Sequence, residues 1–255
     1  MIPNIVAGLI TSVLLALVTL SWRHRGYLPL LRTTLLSSGQ LRVSVATLIR
    51  IKQDDCYVLF HHPYRPSAYG PPGGVLKYAP SARRTLDALG FVEHRVSEME
   101  ETMVYDLRGF LPARHGIGFM RWYATRRDRE CGADAARREL AEELAETGHP
   151  ELIPLVTDLV LEPVRTVFEP PRRVGSMAYR TMRAFEVYDV VVDSPAAADL
   201  LRALQTLGRD ATETQIIAVN SRDIRHGRHG WHLIAPQSAF LLGDRRLHED
   251  LPALR

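Results

Sequence analysis

The apolar and polar positions divide the chain into three unequal parts. Residues 2–22, IPNIVAGLITSVLLALVTLSW, carry no charged side chain. A helix over this run is long enough to cross a hydrocarbon core of about 30 Å. Trp22 and Tyr27 stand where an aromatic belt belongs. A cleaved signal peptide needs a basic start and a small-residue cleavage site, and neither is present. A surface-lying helix needs a polar face, which the run lacks, and a buried core helix should end in polar turn chemistry rather than Trp22-Arg23-His24-Arg25. The pattern predicts a transmembrane helix from Ile2 to Trp22. Arg23, Arg25 and Arg32 follow it and only the terminal amine precedes it, so the positive-inside rule places the remainder in the cytoplasm. Residues 23–40 read as a juxtamembrane connector closed by Ser37-Ser38-Gly39-Gln40. Residues 41–255 are long enough for one globular domain.

Within that domain, Leu41–Ile51 alternates apolar and polar residues and is rich in β-branched side chains, a strand signal. The turn Gln53-Asp54-Asp55 leads into Cys56–Phe60, so the two runs predict a hairpin. Tyr64–Gly70 reads as a loop into Pro71-Pro72-Gly73-Gly74. A short helix is expected over Ser81–Leu89, a strand over Met103–Phe110, and another over the aromatic stretch Phe119–Ala124. Residues 130–146 form the clearest helix. Strands near Leu159–Phe168 and Ala178–Val192 and a helix over Pro195–Leu207 follow, and the chain from Arg222 on is polar and histidine-rich. Strands and helices mix without regular βαβ alternation, which predicts an α+β (mixed α/β) class.

Composition narrows the function classes. Hydrophobic residues make up 46% and charged residues 24%, ordinary values for a folded domain. The formal net charge of +3 is too small to argue for nucleic-acid binding, and no DNA or RNA partner is expected. Lys52 and Lys77 are the only lysines; arginine suits bidentate phosphate recognition, although genomic base composition explains the bias equally well. The two cysteines, Cys56 and Cys131, make no framework and fit a reducing compartment.

The candidate chemistry lies in Glu130–Glu146, ECGADAARRELAEELAE. Ala136, Leu140 and Leu144 share one helical face, and Glu139, Glu142, Glu143 and Glu146 share another. The i,i+4 pairs Glu139/Glu143 and Glu142/Glu146 would each destabilise an isolated helix by roughly 0.2–0.5 kcal/mol. A hard cation such as Mg²⁺ relieves such repulsion through oxygen ligands. On the spacing alone, a solvated acidic face partnered by Arg137 and Arg138 is the simpler account.

The order of the residues decides between these readings. Glu130, seven residues, then Arg138-Glu139-Leu140-Ala141-Glu142-Glu143 resembles the NUDIX box. The resemblance implies a NUDIX fold, a mixed sheet flanked by helices. It implies Glu139, Glu142 and Glu143 as ligands of Mg²⁺ (Mn²⁺ as substitute), with Glu130 accessory and Arg138 orienting them. Glu142 and Glu143 would be catalytic only if the domain hydrolyses. Two positions depart from the box: its opening glycine is Ala124 and its closing glycine Ala145. Since glycine readily takes a positive φ, turnover is more in doubt than metal binding. Pro72-Gly73-Gly74, which normally heads the box, lies some fifty residues upstream.

The strand RVSVATLIRI, the run YGPPGGVLKY, a long insert containing Asp106-Leu107-Arg108 and the box together are similar to the SMODS-associated NUDIX domains, over roughly Leu41–Ile217. These accompany cyclic-oligonucleotide synthases in bacterial CBASS anti-phage systems. The resemblance implies an effector at the bacterial inner membrane that binds a cyclic oligonucleotide or another nucleotide and disrupts the membrane. Such an effector would meet its cognate nucleotidyltransferase only through the product, and would self-associate on activation. Gly73, Gly74, Arg138 and Arg180 are its expected ligand-binding residues. The alternative is a membrane-anchored, Mg²⁺-dependent hydrolase of nucleoside diphosphate derivatives.

Three further features carry weaker signals. Arg165, Arg172, Arg173, Arg180 and Arg183 bracket an expected hairpin, where they would hold phosphates or form a solvated edge. His226, His229 and His232 recur at every third residue, but the neighbouring glycines read as a loop. His61-His62 precede the glycine run, most simply as loop residues.

Overall fold

The computed structural model describes residues 30, 32–34, 39–62, 68–94, 104–175 and 177–249. The span expected over Ile2–Trp22 lies outside them. Among the described residues no helix is long and apolar enough to cross a membrane.

Eleven strands and five α-helices are described. The strands are β1 Gln40–Arg50, β2 Lys52–Gln53, β3 Cys56–His61, β4 Ala68–Gly70, β5 Val92–Glu93, β6 Arg108–Pro112, β7 Leu161–Arg173, β8 Arg180–Val190, β9 Ile216–Asn220, β10 Arg228–His229 and β11 His232–Ile234. The helices are α1 Arg83–Ala88, α2 Gly116–Ala124, α3 Gly132–Glu146, α4 Pro195–Arg209 and α5 Ser221–His226. Two sheets form. One runs β5-β6-β1-β8-β7; the other runs β10-β11-β4-β3-β2, with β9 also paired to β3. β1 and β8 are parallel, while β1 and β6, and β7 and β8, are antiparallel. The mixed sheets and their helices fit the expected α+β class.

β1 is the hub because its residues supply three apolar surfaces. Val43 and Val45 enter one core with Phe119, Met120 and Tyr123 of α2; Ile49 enters a second with Leu140 and Leu144 of α3; Ala46 and Leu48 enter a third with Phe240. α4 begins at Ser194, whose side chain accepts the Ala197 amide at 3.2 Å, with Pro195 in the first turn. Both are favoured at a helix start.

Several expectations need correction. Leu41–Ile51 and Cys56–Phe60 do not form one long hairpin. Pairing is confined to the tip, where Lys52–Gln53 pairs with Cys56–Tyr57 and the Val58 amide donates to the Ile51 carbonyl at 3.0 Å, because the chain passes from one sheet to the other there. Phe119–Ala124 is helical, within α2; its buried Gly116, Phe119, Met120 and Tyr123 recur at three- and four-residue spacing, which a short aromatic window conceals. Part of the loop expected over Tyr64–Gly70 is strand β4. The described part of the C-terminal stretch carries regular elements: α5 starts with a reciprocal Asn220/Asp223 capping box and stops at Gly227, φ 71°. Residues 236–241 then bury Phe240.

Candidate functional site

Residues 72–76 run along the edge of β1 beyond its pairing with β6. The Thr47 amide donates to the Gly74 carbonyl at 2.8 Å, and the Ile49 amide to the Pro72 carbonyl at 2.8 Å. The glycines lie against the glutamate face of α3. A Cβ on Gly74 would sit 1.9 Å from Oε2 of Glu139, and one on Gly73, at φ 140°, would sit 2.2 Å from the Thr47 carbonyl oxygen. At Gly73 a side chain would meet backbone and is excluded, whereas at Gly74 it would have to displace the Glu139 carboxylate. The displaced Pro-Gly-Gly therefore reaches the box through the sheet rather than through the sequence.

Arg138 organises the carboxylates. Its Nε and Nη2 each donate to Glu130 at 3.0 Å, and its Nη1 donates to Glu139 at 2.6 Å and to Glu142 at 3.4 Å. Nη2 also donates to the Val75 carbonyl at 3.2 Å, tying α3 to the glycine segment. Burial opposes the guanidinium charge, but the bonds to Glu130 and Glu139 outweigh it and hold Arg138 above its ordinary pKa.

Glu143 stands apart from this arrangement. The Gly73 amide donates to its Oε1 at 3.4 Å, while Oε2 is sealed from solvent without a hydrogen-bond partner. Desolvation first, and the adjacent Glu139 charge second, push Glu143 well above the usual carboxylate range. Burial raises Glu139 as well, against the pull of Arg138.

These groups line one cleft of about 940 Å³, which also takes in Asp106, Arg108, Arg183 and Arg246. Its size lies in the range of small-molecule sites. Gly73, Gly74, Arg138, Glu139, Glu142 and Glu143 all reach it. Glu130 does not line it: both of its oxygens are taken by Arg138, and the Lys77 amide donates to it at 3.1 Å. Arg180 is exposed at the start of β8 and does not line it, whereas Arg183 does. Sequence reasoning missed Arg42, Arg108 and Arg246 as cleft residues. The strand register could have flagged the first two; Arg246 carries no sequence signal.

Among the described residues no group of three His, Cys, Asp or Glu side chains is spaced to hold a metal ion as it stands, since Arg138 spans the carboxylates. The donor set nevertheless fits a hard cation. Glu139, Glu142 and Glu143 offer oxygen ligands, and the enclosed, orphaned Oε2 of Glu143 lacks the counter-charge a cation supplies. The three C-terminal histidines do not converge: His229 bonds Asp223 at 2.9 Å, and the His232 ring packs edge-on to Tyr69.

The two substituted box glycines prove harmless to the backbone. Ala124 is the last residue of α2 and Ala145 lies inside α3, both helical. The left-handed residues nearby are Arg126, Asp128 and Gly148.

The loop entering α3 is pinned by a buried network. Glu186 accepts from Arg129 at 2.9 Å, Tyr123 at 2.7 Å and Tyr188 at 2.8 Å. The Arg129 and Glu186 side chains are 3% and 7% exposed, and Arg129 stacks on the Tyr123 ring. A Cβ on Gly132 would meet Oε2 of Glu186 and the Tyr188 hydroxyl, each at 2.2 Å. The first turn of α3 can thus sit directly on the network.

The family model for the SMODS-associated NUDIX domain matches residues 40–242. The match runs past Ile217 to take in α5, β10, β11 and the Phe240 segment. No curated protein and no solved structure matches the chain.

Proposed function

Because the chain belongs to the family of SMODS-associated NUDIX domains, we propose that it is a membrane-anchored CBASS effector whose cleft senses a cyclic oligonucleotide. The observation that carries this reading is the two-sided cleft of about 940 Å³, with Glu139, Glu142 and Glu143 on one wall and Arg42, Arg108 and Arg183 on another. A compact polyanion with separated phosphates suits such a lining. Glu139, Glu142 and Glu143 would hold Mg²⁺, which supplies positive charge to a phosphate, while Arg138 keeps the carboxylates in place. The residues 2–22 run anchors the domain to the inner membrane, facing the cytoplasm. A single span cannot form a wide lesion; ligand-driven self-association brings several together.

The test is dye entry into cells carrying the cognate synthase. The full-length protein permeabilises the inner membrane, and the form lacking Ile2–Trp22 does not. Toxicity that survives this deletion contradicts the reading. The complete carboxylate set of the box favours a second reading, hydrolysis of nucleoside diphosphate derivatives by metal-activated water. Product analysis separates the two.

A further inference from the structure

The cleft has a second charged cluster, away from the box and built from the sheet itself. Arg42 and Ser44 are on the cleft side of β1, while the intervening Val43 and the following Val45 are buried in the core. Ser44 is in register with Arg108 of β6 on one side and with Arg183 of β8 on the other. Arg183 is in turn in register with Glu169 of β7. Glu169, Arg183, Ser44 and Arg108 therefore form one row across four strands, with Arg42 two residues along the same face.

Arg246, from the segment after the Phe240 turn, completes the row. Its Nε and Nη2 donate to Glu169 at 2.5 and 2.8 Å, and Arg183 donates to the same carboxylate at 3.4 Å. Glu169 is 6% exposed, so one buried carboxylate orients two guanidiniums toward the cleft. Arg108 is oriented likewise by Asp106, at 2.9 Å. Burial first, then the charges of Arg42 and Arg108, hold the neighbouring His94 below its ordinary pKa. Four arginines here meet two carboxylates, Glu169 and Asp106, which leaves a formal excess of positive charge at the row.

The spacing from the box follows from β1. The Gly73–Gly74 segment that touches Glu143 and Glu139 bonds β1 at Thr47 and Ile49, and the arginine row crosses it at Ser44. Three to five residues of strand separate them, about 10–16 Å. Between the strand positions, that exceeds the length of a single diphosphate group.

We propose that Arg42, Arg108 and Arg183, with Arg246, form a second anion subsite that takes a phosphate without metal, so that the ligand presents two phosphate groups separated by at least one nucleoside. The ligand class rests on the reading under Proposed function; the subsite does not. Guanidiniums fixed by carboxylates lose little freedom on gripping a phosphate bidentately.

The probe is inorganic pyrophosphate, added to the full-length protein in detergent with EDTA at constant ionic strength. At ten times its Kd it raises Tm by about 3–5 °C. Ser44→Asp, which sets a carboxylate in the middle of the row, abolishes the rise, and Ser44→Ala keeps it. Arg108→Gln weakens pyrophosphate by about tenfold or more, while Glu142→Gln with Glu143→Gln leaves the shift intact. An equal rise in Ser44→Asp and the unaltered protein overturns the subsite, as does no rise in the unaltered protein. A rise that needs Mg²⁺ and vanishes in the glutamate double variant also overturns it. A pyrophosphate shift without any cyclic-oligonucleotide binding would remove the sensor reading and leave the subsite standing.

Discussion

The Gly73 amide donates to Oε1 of Glu143, 70 positions further along the chain. Through that bond the glycine segment on β1 and the glutamate face of α3 become two sides of one site. The same proximity makes the two glycines unequal under substitution.

Gly73→Ala drives a Cβ into the Thr47 carbonyl at a left-handed φ of 140°, where relief requires moving the backbone. It should cost about 2–3 kcal/mol of stability. Gly74→Ala meets only the mobile end of Glu139; the protein should fold but lose most of its Mg²⁺-dependent gain in Tm. Thermal melts with and without Mg²⁺ decide. Identical behaviour of the two variants would contradict the geometry.

Glu143 should make metal-free stability depend on pH. Its folded pKa is raised by burial, so the folded state holds the proton more tightly than the unfolded chain. That contribution is full below the unfolded glutamate value and is lost as pH rises through the folded value. Tm in EDTA should fall as pH rises across this window, and Glu143→Gln should flatten the fall. Mg²⁺ should stabilise more at higher pH, since it competes with the proton. A Tm that falls equally in Glu143→Gln assigns the effect to other groups.

Arg129 and Glu186 should behave as one buried unit. Arg129→Met strands a carboxylate that is 7% exposed and should cost about 3–5 kcal/mol. Adding Glu186→Gln should recover part of that loss. A double-mutant cycle in denaturant measures the coupling; simple additivity would show that the pair does not hold the loop before α3.

Much of this site can be read in the sequence, because a box fixed within one helix is a local pattern. Arg138, Glu139, Glu142 and Glu143 needed only helical spacing and residue order. What could not be read is long-range. Nothing in Pro72-Gly73-Gly74 announces that it bonds β1 beside Glu143, and Arg246 reaches Glu169 only through the fold. Glu130 looks like a ligand because it is acidic and belongs to the box, yet Arg138 claims both of its oxygens. Arg180 and Arg183 read alike as hairpin arginines, but alternation along β8 puts only Arg183 on the cleft face. β2 and β4 are too short to show a period, and α2 hides its helical spacing in an aromatic run.

Arg23 and Arg25 directly after an uncharged run predict that a reporter fused after Arg255 is active on the cytoplasmic side. Periplasmic activity would reverse the orientation. A full-length protein recovered wholly in the soluble fraction would remove the anchor.

On the proposed reading, the cleft binds a cyclic oligonucleotide and leaves it whole. The most direct measurement incubates the full-length protein in detergent with a panel of cyclic di- and trinucleotides and Mg²⁺, reading binding calorimetrically and products by chromatography. At least one should bind, be recovered intact, and drive self-association of the protein. No binding across the panel, with rapid cleavage of ADP-ribose-like or dinucleoside diphosphate substrates, would contradict it and establish a hydrolase.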